Sequence, residues 1–302
     1  MSINSNLPLV FHSDYSYEFD ANHRFVMRKF VDLYEHLSHS GYVTNNLYQP
    51  KRASVSMLEP IHCSQYLHDL THDTLDMQAK RRIGLPWSEQ LMARTFTEAQ
   101  GTLLTAQLAL KEGIACHLAG GTHHAHADFG SGYCMVNDLA YAATELIKKP
   151  EVTNVLIFDL DVHQGDGTAA ILAHNPYVYT CSIHCEKNFP FRKTNSDCDI
   201  GLPIGLDDTA YIELVSSTLT SLLRDLNPSI VLYDAGVDVW QHDGLGKLNI
   251  SWQGIEKRDK TVLTICQQFG VPVATVIGGG YDKDHARLAK RHSIVVKQAA
   301  II

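Results

Sequence analysis

The apolar residues of this 302-residue chain fall into two alternating patterns. Short uninterrupted runs, such as "VLIF" at 155–158, are typical of strands buried on both faces. Between these runs, apolar residues recur at helical spacing, as in the long segment that ends near Gly113. Buried strands that alternate with helices predict a parallel sheet covered by helices, which is an α/β fold.

The individual elements follow from these patterns. Strands are predicted in "LPLVFH", "IACHLAGG", "VTNVLIFDLDVH", "YVYTCSIHC", "SIVLYDAGVD" and "VPVATVIGGG". Helices are predicted in "FVMRKFVDLYEHL", "SEQLMARTFTEAQGTLLTAQLALKEG", "MVNDLAYAATELIKK", "GTAAILAH", "TAYIELVSSTLTSLLRDL", "IEKRDKTVLTICQQFG" and from near Lys283 onward. Neither a repeat nor a linker interrupts them, so residues 1–302 are predicted to form a single domain.

Polar residues collect at the ends of five of the predicted strands. His, Asp, Ser, Tyr or Gly follows in "THHAHADFGSGYC", "DLDVHQGDG", "SIHC", "DAGVD" and "GGGYD". Ligands of open α/β sheets bind beside the carboxyl ends of the strands. The sequence therefore predicts one composite site at that edge of the sheet.

The stretch "DLDVH" is a candidate metal-binding motif. Asp159, Asp161 and His163 share one face if the strand extends that far, because side chains alternate with period two. Asp238, after another strand, can add a third ligand. Two Asp and one His suit a catalytic Zn²⁺ with an open position. The alternative is that Asp159 and Asp161 cap a turn or pair with surface Lys.

Two further stretches offer groups for catalysis. His123 and His124 are adjacent and suit acid–base chemistry, with Asp159 and Asp166 available to orient them. The glycines of "IGGGYD" permit close approach of a ligand, and Tyr281 can donate to an oxyanion. The alternatives are a surface histidine cluster and a packed tyrosine. His117, His126 and His242 are assigned no role.

Composition narrows the class of protein. The net charge of −8 argues against a nucleic-acid surface and suits cationic substrates. Seven Cys without a C-x-x-C pair predict reduced thiols and a cytoplasmic location. The N-terminal segment "MSINSNLPLVFHSDYSYEF" does not have the pattern of a signal peptide. No run approaches about 18 apolar residues, so a membrane span is not expected.

The motifs resemble those of the histone deacetylase and acetoin-utilisation superfamily. They occur in the family's order, as "GGTHHAHADFGSGYCMVND", "DLDVHQGDGTA", "SIHC", "DAGVDVWQHDGLG" and "GGGY", after an "NHRFVMRKF" similar to the family's N-terminal segment. "EKNFPFRK" and "DIGLPIGLDD" look most like the class IV branch and its bacterial relatives. The resemblance implies the arginase–deacetylase fold, a three-layer α/β/α domain with a mainly parallel eight-stranded sheet.

The resemblance also implies roles for individual residues. Asp161, His163 and Asp238 would hold Zn²⁺, with Fe²⁺ as an alternative, and Tyr281 would polarise the acyl carbonyl. His124 with Asp166 would be the general base and acid, and His123 with Asp159 the electrostatic histidine. The implied substrate channel comprises Gly132, Tyr133, Phe189, Gly279 and Gly280, with Arg24 at an acetate exit. A structural K⁺ would lie beside Asp159, Asp161, His163, Ser182 and Ile183.

The implied activity is hydrolysis of acyl-lysine amides by a metal-activated water. Acylated polyamines or other small acylated amines are the alternative substrates, and long acyl chains are left open. Val26 and Gln164 depart from the usual pattern, and a counterpart of the peptide-gripping rim aspartate is not evident. A two-metal ureohydrolase is less favoured, because that related group binds two Mn²⁺ with extra acidic ligands and the second half of this chain offers only the isolated "GVD". A non-catalytic binding protein is less favoured, since the metal ligands, both histidines and the tyrosine are all present.

Overall fold

One parallel sheet organises the molecule. The structure is a computed structural model that describes residue 4 and residues 6–302. The sheet has eight strands in the order β2-β1-β3-β8-β7-β4-β5-β6, and every pairing between neighbours is parallel. The strands are β1 (Leu9–Val10), β2 (Leu47–Tyr48), β3 (Ile114–His117), β4 (Val155–Asp159), β5 (Val178–Cys185), β6 (Cys198–Leu202), β7 (Ile230–Asp234) and β8 (Val273–Val276). The predicted eight-stranded α/β fold is confirmed.

The middle of the sheet is buried on both faces. Every residue of β4, β7 and β8 is buried. This explains the continuous apolar runs, because side chains on both sides of a strand must then be apolar. The polar residues that end these runs therefore emerge inside the protein.

Two groups of helices cover the sheet. In one group α1, α10, α9 and α8 contact one another in series, and in the other α5, α6 and α7 do so. The helices are α1 (Lys29–His39), α2 (Val55–Leu58), α3 (Ser64–Thr71), α4 (Met77–Ile83), α5 (Glu89–Glu112), α6 (Asp138–Leu146), α7 (Asp166–Leu172), α8 (Asp208–Leu226), α9 (Trp252–Phe269) and α10 (His285–Ala299). Over the described part of the chain, none is both long and apolar enough to cross a membrane.

Local sequence signals set the ends of the long helices. Ser88 accepts a hydrogen bond from Leu91 N at the start of α5, and Gly113 ends that helix with φ of +84°. At α9, the Ser251 side chain caps the start of the helix in the same way, and Gly270 ends the helix with φ of +66°. Hydroxyls satisfy free N–H groups at the helix start, and glycine adopts the left-handed end without steric cost.

Several elements differ from the predictions. The strand predicted through "VTNVLIFDLDVH" ends at Asp159, and Asp161 and His163 lie in the bends that follow. β2, β6 and α2 to α4 were not predicted. β2 has two residues, and β6 is a half-exposed edge strand. Both lack the long apolar run on which the strand predictions relied. The predictions of one domain over 1–302 and of no signal peptide involve residues 1–3 and 5, which lie outside the described residues.

Arg258 of α9 fixes the turns that leave β4 and β7. Its guanidinium is fully buried and donates to Gly236 O at 2.6 Å and Ala235 O at 3.1 Å. Its Nε donates to Asp259 Oδ1 at 2.9 Å, and the Tyr233 hydroxyl donates to the same oxygen at 2.6 Å. This buried ion pair thus holds the backbone directly beside the polar strand ends.

We expect Arg258→Met to lower the free energy of unfolding by about 3–5 kcal/mol, because it strands the buried Asp259 carboxylate. Guanidinium denaturation measures the loss. Arg224→Met is the matched control on exposed α8 surface, with a change within about 0.5 kcal/mol. Equal losses in both variants would contradict the role given to Arg258.

Candidate metal and catalytic site

The candidate site lies where the central strands end. Asp159 is the last residue of β4 and pairs in register with Asp234 of β7 and Ser182 of β5. The turn after β8 brings Gly278 and Gly279 to the same edge. The carboxyl ends of parallel strands thus meet at one place, as predicted from the polar residues that follow them.

Asp161, His163 and Asp238 form a compact buried group. One ligand atom from each lies within 4.8 Å of the others. His163 Nδ1 is 3.0 Å from Asp161 Oδ1 and 3.2 Å from Asp238 Oδ2. Their exposed fractions are 1% for Asp161, 7% for His163 and 0% for Asp238. The structure therefore brings together the three residues predicted to bind a metal.

The donors of this group fit a divalent cation. Asp238 Oδ2 is buried, and the ring nitrogen Nδ1 of His163 lies 3.2 Å from it. A Cβ at Gly279 would overlap Asp238 Oδ2 and lie 2.5 Å from Asp161 Oδ2, so glycine keeps the space between the carboxylates open. Two carboxylates and one imidazole nitrogen are a donor set for catalytic Zn²⁺.

The charges of this group also suit a cation. Burial would lower the pKa of His163, but the Asp161 and Asp238 carboxylates, which accept hydrogen bonds from its ring and attract its positive charge, outweigh burial and raise the pKa to about 10. Without a metal, the imidazole therefore holds a proton between the two carboxylates. A bound cation would replace this proton, since metal ligands must be deprotonated.

Two histidine–aspartate pairs adjoin the group. His123 Nδ1 is 2.7 Å from Asp159 Oδ2, and His124 Nδ1 is 2.6 Å from Asp166 Oδ1. Both predicted pairings are present. Burial lowers the pKa of His124 to about 4, and the neighbouring His123 adds to this. His124 is therefore neutral at pH 7.

The pKa of His123 is shifted in the opposite direction, upward. Burial would lower its pKa, but the Asp159 and Asp161 carboxylates outweigh this and raise it well above the usual value. His123 Nε2 is 3.9 Å from Asp161 Oδ1. The two adjacent imidazoles thus differ in charge, since one faces carboxylates on both sides.

His126, which the sequence analysis left without a role, belongs to the site. Its Nε2 is 3.1 Å from Asp166 Oδ2, so Asp166 holds both His124 and His126. Burial would raise the pKa of Asp166, but these two hydrogen bonds lower it strongly. His117 is buried and bonded to a hydroxyl at each ring nitrogen, and His242 is exposed.

Tyr281 completes a single cavity with these groups. The cavity is narrow, opens to solvent and is lined by both histidines, Asp161, His163, Gly279 and Tyr281. Burial raises the pKa of Tyr281 well above its usual value. The phenol is therefore a hydrogen-bond donor at neutral pH.

The predicted channel residues fall into two sets. Gly132 and Tyr133 line the cavity, and a Cβ at Gly132 would lie 2.6 Å from His124 Cδ2 and 3.2 Å from the Phe189 ring. The Phe189 ring stands perpendicular to His124 with centroids 4.8 Å apart and is 45% exposed. Gly132, Tyr133 and Phe189 thus form a wall between the histidine and solvent.

Arg24 and Gly280 are not placed as predicted. Arg24 is exposed, and it is not among the described residues that line the cavity. Gly280 is buried against Val237 and His292, where a Cβ would lie 2.7 Å and 2.8 Å from their side chains. Gly280 permits close packing behind the site instead of forming the channel wall.

Lys29, Arg94 and Glu98 line the inner end of the cavity and were missed. Lys29 lies on α1 among the buried Phe30, Leu33 and Leu37, and Arg94 and Glu98 form an i,i+4 pair in the mostly buried α5. A charged residue on the apolar face of a predicted helix is the signal that could have found them.

The residues predicted to bind K⁺ are all buried. Ser182 faces Asp159 across β4 and β5, and its hydroxyl is 3.0 Å from His184 Nδ1. The buried set comprises Asp159, Asp161, His163, Ser182 and Ile183.

Asp234 forms a second close group with His123 and Asp159. Ligand atoms of the three lie within 4.8 Å of one another, and Asp234 Oδ2 is 4.0 Å from His123 Nδ1. Neither carboxylate oxygen of Asp234 has a hydrogen-bond partner in the described chain. Asp234 received no role from the sequence, although it is the first residue of the polar stretch "DAGVD" at the end of β7.

Comparisons with known proteins match most of the chain to one family. A histone deacetylase domain family matches residues 23–297. A Picosynechococcus protein described as uncharacterized is 46% identical, covering 97% of this chain and 98% of its own. Histone deacetylase 2 of Arabidopsis thaliana is 26% identical, covering 94% and 77%. Acetoin utilization protein AcuC of Staphylococcus aureus is 26% identical, covering 87% and 74%.

A solved structure shows the same fold. The crystal structure of an HDAC homolog complexed with SAHA matches with a TM-score of 0.80 at 22% identity, covering 97% of this chain and 84% of that one.

We expect Gly279→Ala to weaken Zn²⁺ binding at least about tenfold, because the added Cβ displaces both carboxylates. Competition with a chromogenic chelator measures the affinity. Gly244→Ala is the control, since its Cβ would meet its nearest neighbour, Tyr281, at 3.8 Å. Unchanged affinity in Gly279→Ala would show that the metal does not lie between Asp161 and Asp238.

Proposed function

The chain belongs to the histone deacetylase family of the arginase–deacetylase superfamily, and we propose that it is a zinc-dependent hydrolase of acyl-lysine amides. The observation that carries this proposal is the meeting of three kinds of group in one cavity. A buried Asp–His–Asp set, two His–Asp pairs and a protonated tyrosine all line it or contact its walls.

The metal would be held by carboxylate oxygens of Asp161 and Asp238 and by His163 Nδ1. When bound there, Zn²⁺ would polarise the acyl carbonyl and lower the pKa of a water molecule. Fe²⁺ would suit the same donors. We further propose that K⁺ lies beside Asp159 and Ser182, where it would offset buried negative charge.

In the proposed reaction, His124 would accept the proton of the attacking water. Asp166 engages its Nδ1, so Nε2 is the nitrogen that is left for this task. Because burial keeps His124 neutral, it can act as a base near neutral pH. The same nitrogen can then return the proton to the leaving amine, which departs as an ammonium group.

Tyr281 and His123 would stabilise the negative charge that develops on the acyl oxygen. The Tyr281 hydroxyl stays protonated and can donate to this oxygen. His123 carries a positive charge imposed by Asp159 and Asp161. Such groups act without rearrangement, since packing fixes them before the substrate binds.

A two-metal reaction is less favoured, although the second group of carboxylates suggests it. His123 Nδ1 and Asp159 Oδ2 are 2.7 Å apart, which is a hydrogen bond between them and leaves no room for an ion. Small acylated amines remain the second class of substrate. Two observations permit them: the acidic charge of the chain and the lack of an evident rim aspartate in its sequence.

We expect Tyr281→Phe to fold normally and to lose about 10²–10³ in turnover, because it removes one oxyanion donor. The assay uses an acetyl-lysine peptide with zinc-loaded protein. Tyr177→Phe, at an exposed position, is the matched control. Wild-type turnover in Tyr281→Phe would remove this residue from the reaction.

We expect removal of the metal with a chelator to abolish hydrolysis, and Zn²⁺ to restore it. Metal analysis should give one zinc per chain. The assay tests a panel of substrates: acetyl-, octanoyl- and myristoyl-lysine peptides and acetylated polyamines. Turnover of the polyamines alone would favour the small-amine reading. Metal-loaded protein without turnover of any of them would indicate a binding protein.

A further inference from the structure

The stretch "WQHDGLG" at 240–246 has no role in the proposed reaction, although it is part of a motif on which the family resemblance rests. It forms a turn, because Asp243 N donates to Trp240 O at 2.9 Å. Asp243 Oδ1 accepts from Leu245 N at 2.9 Å and from Gly246 N at 3.2 Å. The loop therefore fixes the direction of its own carboxylate and leaves Oδ2 for another partner.

That partner is the backbone of Tyr281. Tyr281 N donates to Asp243 Oδ2 at 2.8 Å, and Gly244 N donates to Tyr281 O at 3.3 Å. The Asp243 side chain is 0% exposed, so water does not compete for its carboxylate. A hydrogen bond to a charged acceptor is stronger than one between neutral groups. Asp243 thus holds the N–H of the residue whose phenol would meet the acyl oxygen.

Tyr281 needs such support because of what precedes it and what it must do. Gly278, Gly279 and Gly280 come directly before it, and glycine restricts the backbone least of all residues. The phenol must stay free to donate to the acyl oxygen, so a partner for its hydroxyl cannot hold it in place. A misplacement of about 1 Å can cost about 10²-fold in rate. The backbone is therefore where the position of this side chain has to be fixed.

Arg291 of α10 connects the loop to the residue that follows Tyr281. Its Nη1 donates to Asp282 Oδ2 at 3.0 Å, and its Nη2 lies 3.5 Å from Asp243 Oδ2. The Arg291 side chain is 0% exposed, and its guanidinium lies 4.1 Å from the centroid of the Trp240 ring, which restricts its plane. One buried cation thus bridges the carboxylate that holds Tyr281 N and the carboxylate next to it in sequence.

We propose that Asp243 and Arg291 are positioning residues, which keep Tyr281 aimed at the acyl oxygen by fixing its backbone. Asp243 acts on the Tyr281 N–H, and Arg291 acts one step further out by orienting Asp243. Neither is among the described residues that line the cavity. The role in turnover rests on the proposed function. The alternative is that both residues only stabilise the loop that follows the metal-binding Asp238.

A double-mutant cycle on turnover of an acetyl-lysine peptide at saturating Zn²⁺ separates these two roles. Asp243→Ala should lower kcat about tenfold or more and change KM less than about twofold, because it affects an interaction made in the transition state. In the Tyr281→Phe background the same change should cost less than about threefold, since the hydroxyl that it positions has gone. Equal losses in both backgrounds would contradict the proposal, because damage to the fold or metal site does not depend on that hydroxyl.

Conservative variants test each contact. Asp243→Asn keeps an oxygen that can accept from Tyr281 N, so its kcat should exceed that of Asp243→Ala. Arg291→Lys keeps the charge without the planar fork that bridges two carboxylates, and it should lower kcat only where the Tyr281 hydroxyl is present. Asp225→Ala and Arg224→Lys, exposed on α8, are the matched controls. The assignment is wrong if Asp243→Asn is no better than Asp243→Ala, or if Arg291→Lys has the wild-type kcat.

A spectroscopic experiment tests the positioning without catalysis. Fluorotyrosine replaces tyrosine at position 281 alone, and fluorine NMR of the zinc-loaded protein reports the surroundings of that ring. The signal should shift or broaden in Asp243→Ala and in Arg291→Lys, but not in Asp225→Ala, and thermal unfolding establishes which variants are folded. An unchanged signal in either folded variant would overturn the inference, whether or not the protein hydrolyses acyl-lysine. A shifted signal without turnover of any substrate would overturn the proposed function and leave the support of Tyr281 standing.

Discussion

The structure depends on how it compensates carboxylates that emerge inside the core. Asp159, Asp161, Asp234 and Asp238 are at most 3% exposed, and all follow or end buried strands. Such charges are tolerated only with hydrogen bonds or cations around them. Backbone N–H groups provide part of this, since Val162 N donates to Asp238 Oδ1 at 2.9 Å. A metal ion between Asp161 and Asp238 would provide much of the rest.

Close backbone approach makes this compensation possible. A Cβ at Gly236 would lie 2.5 Å from Asp161 Oδ2, and one at Gly279 would overlap Asp238. The turns after β7 and β8 can therefore approach the end of β4 only with glycine at these positions. Arg258 of α9 donates to two backbone carbonyl oxygens in the turn after β7. A helix that packs against the sheet therefore contributes to the geometry of the site.

Much of the site could be predicted because its residues follow strands whose direction and neighbours the apolar runs define. The rule that carboxyl ends of parallel strands meet was enough to bring Asp159, Asp166 and the two adjacent histidines together, whereas their individual pairing came from the family resemblance. The inner end of the cavity could not be found in this way. Within residues 24–29, three cations occur, and Arg24 and Arg28 are exposed whereas Lys29 is buried. Which one turns inward depends on packing against Phe25, Phe30 and a glycine turn 249 residues away.

The inner half of the cavity carries an excess of positive charge, and this bears on how an amide would be cleaved there. Asp161 and Asp238 would balance the two charges of a bound Zn²⁺, whereas Lys29 and Arg94 outnumber the carboxylate of Glu98 in the inner half. Hydrolysis of an amide at neutral pH yields a cation and an anion. With the acyl group pointing inward, the carboxylate forms beside the positive charges and the ammonium forms towards the mouth of an acidic protein. The field of the fixed charges thus favours separation of the products over their recombination, and the buried cations contribute to this even when the acyl group is a simple acetyl.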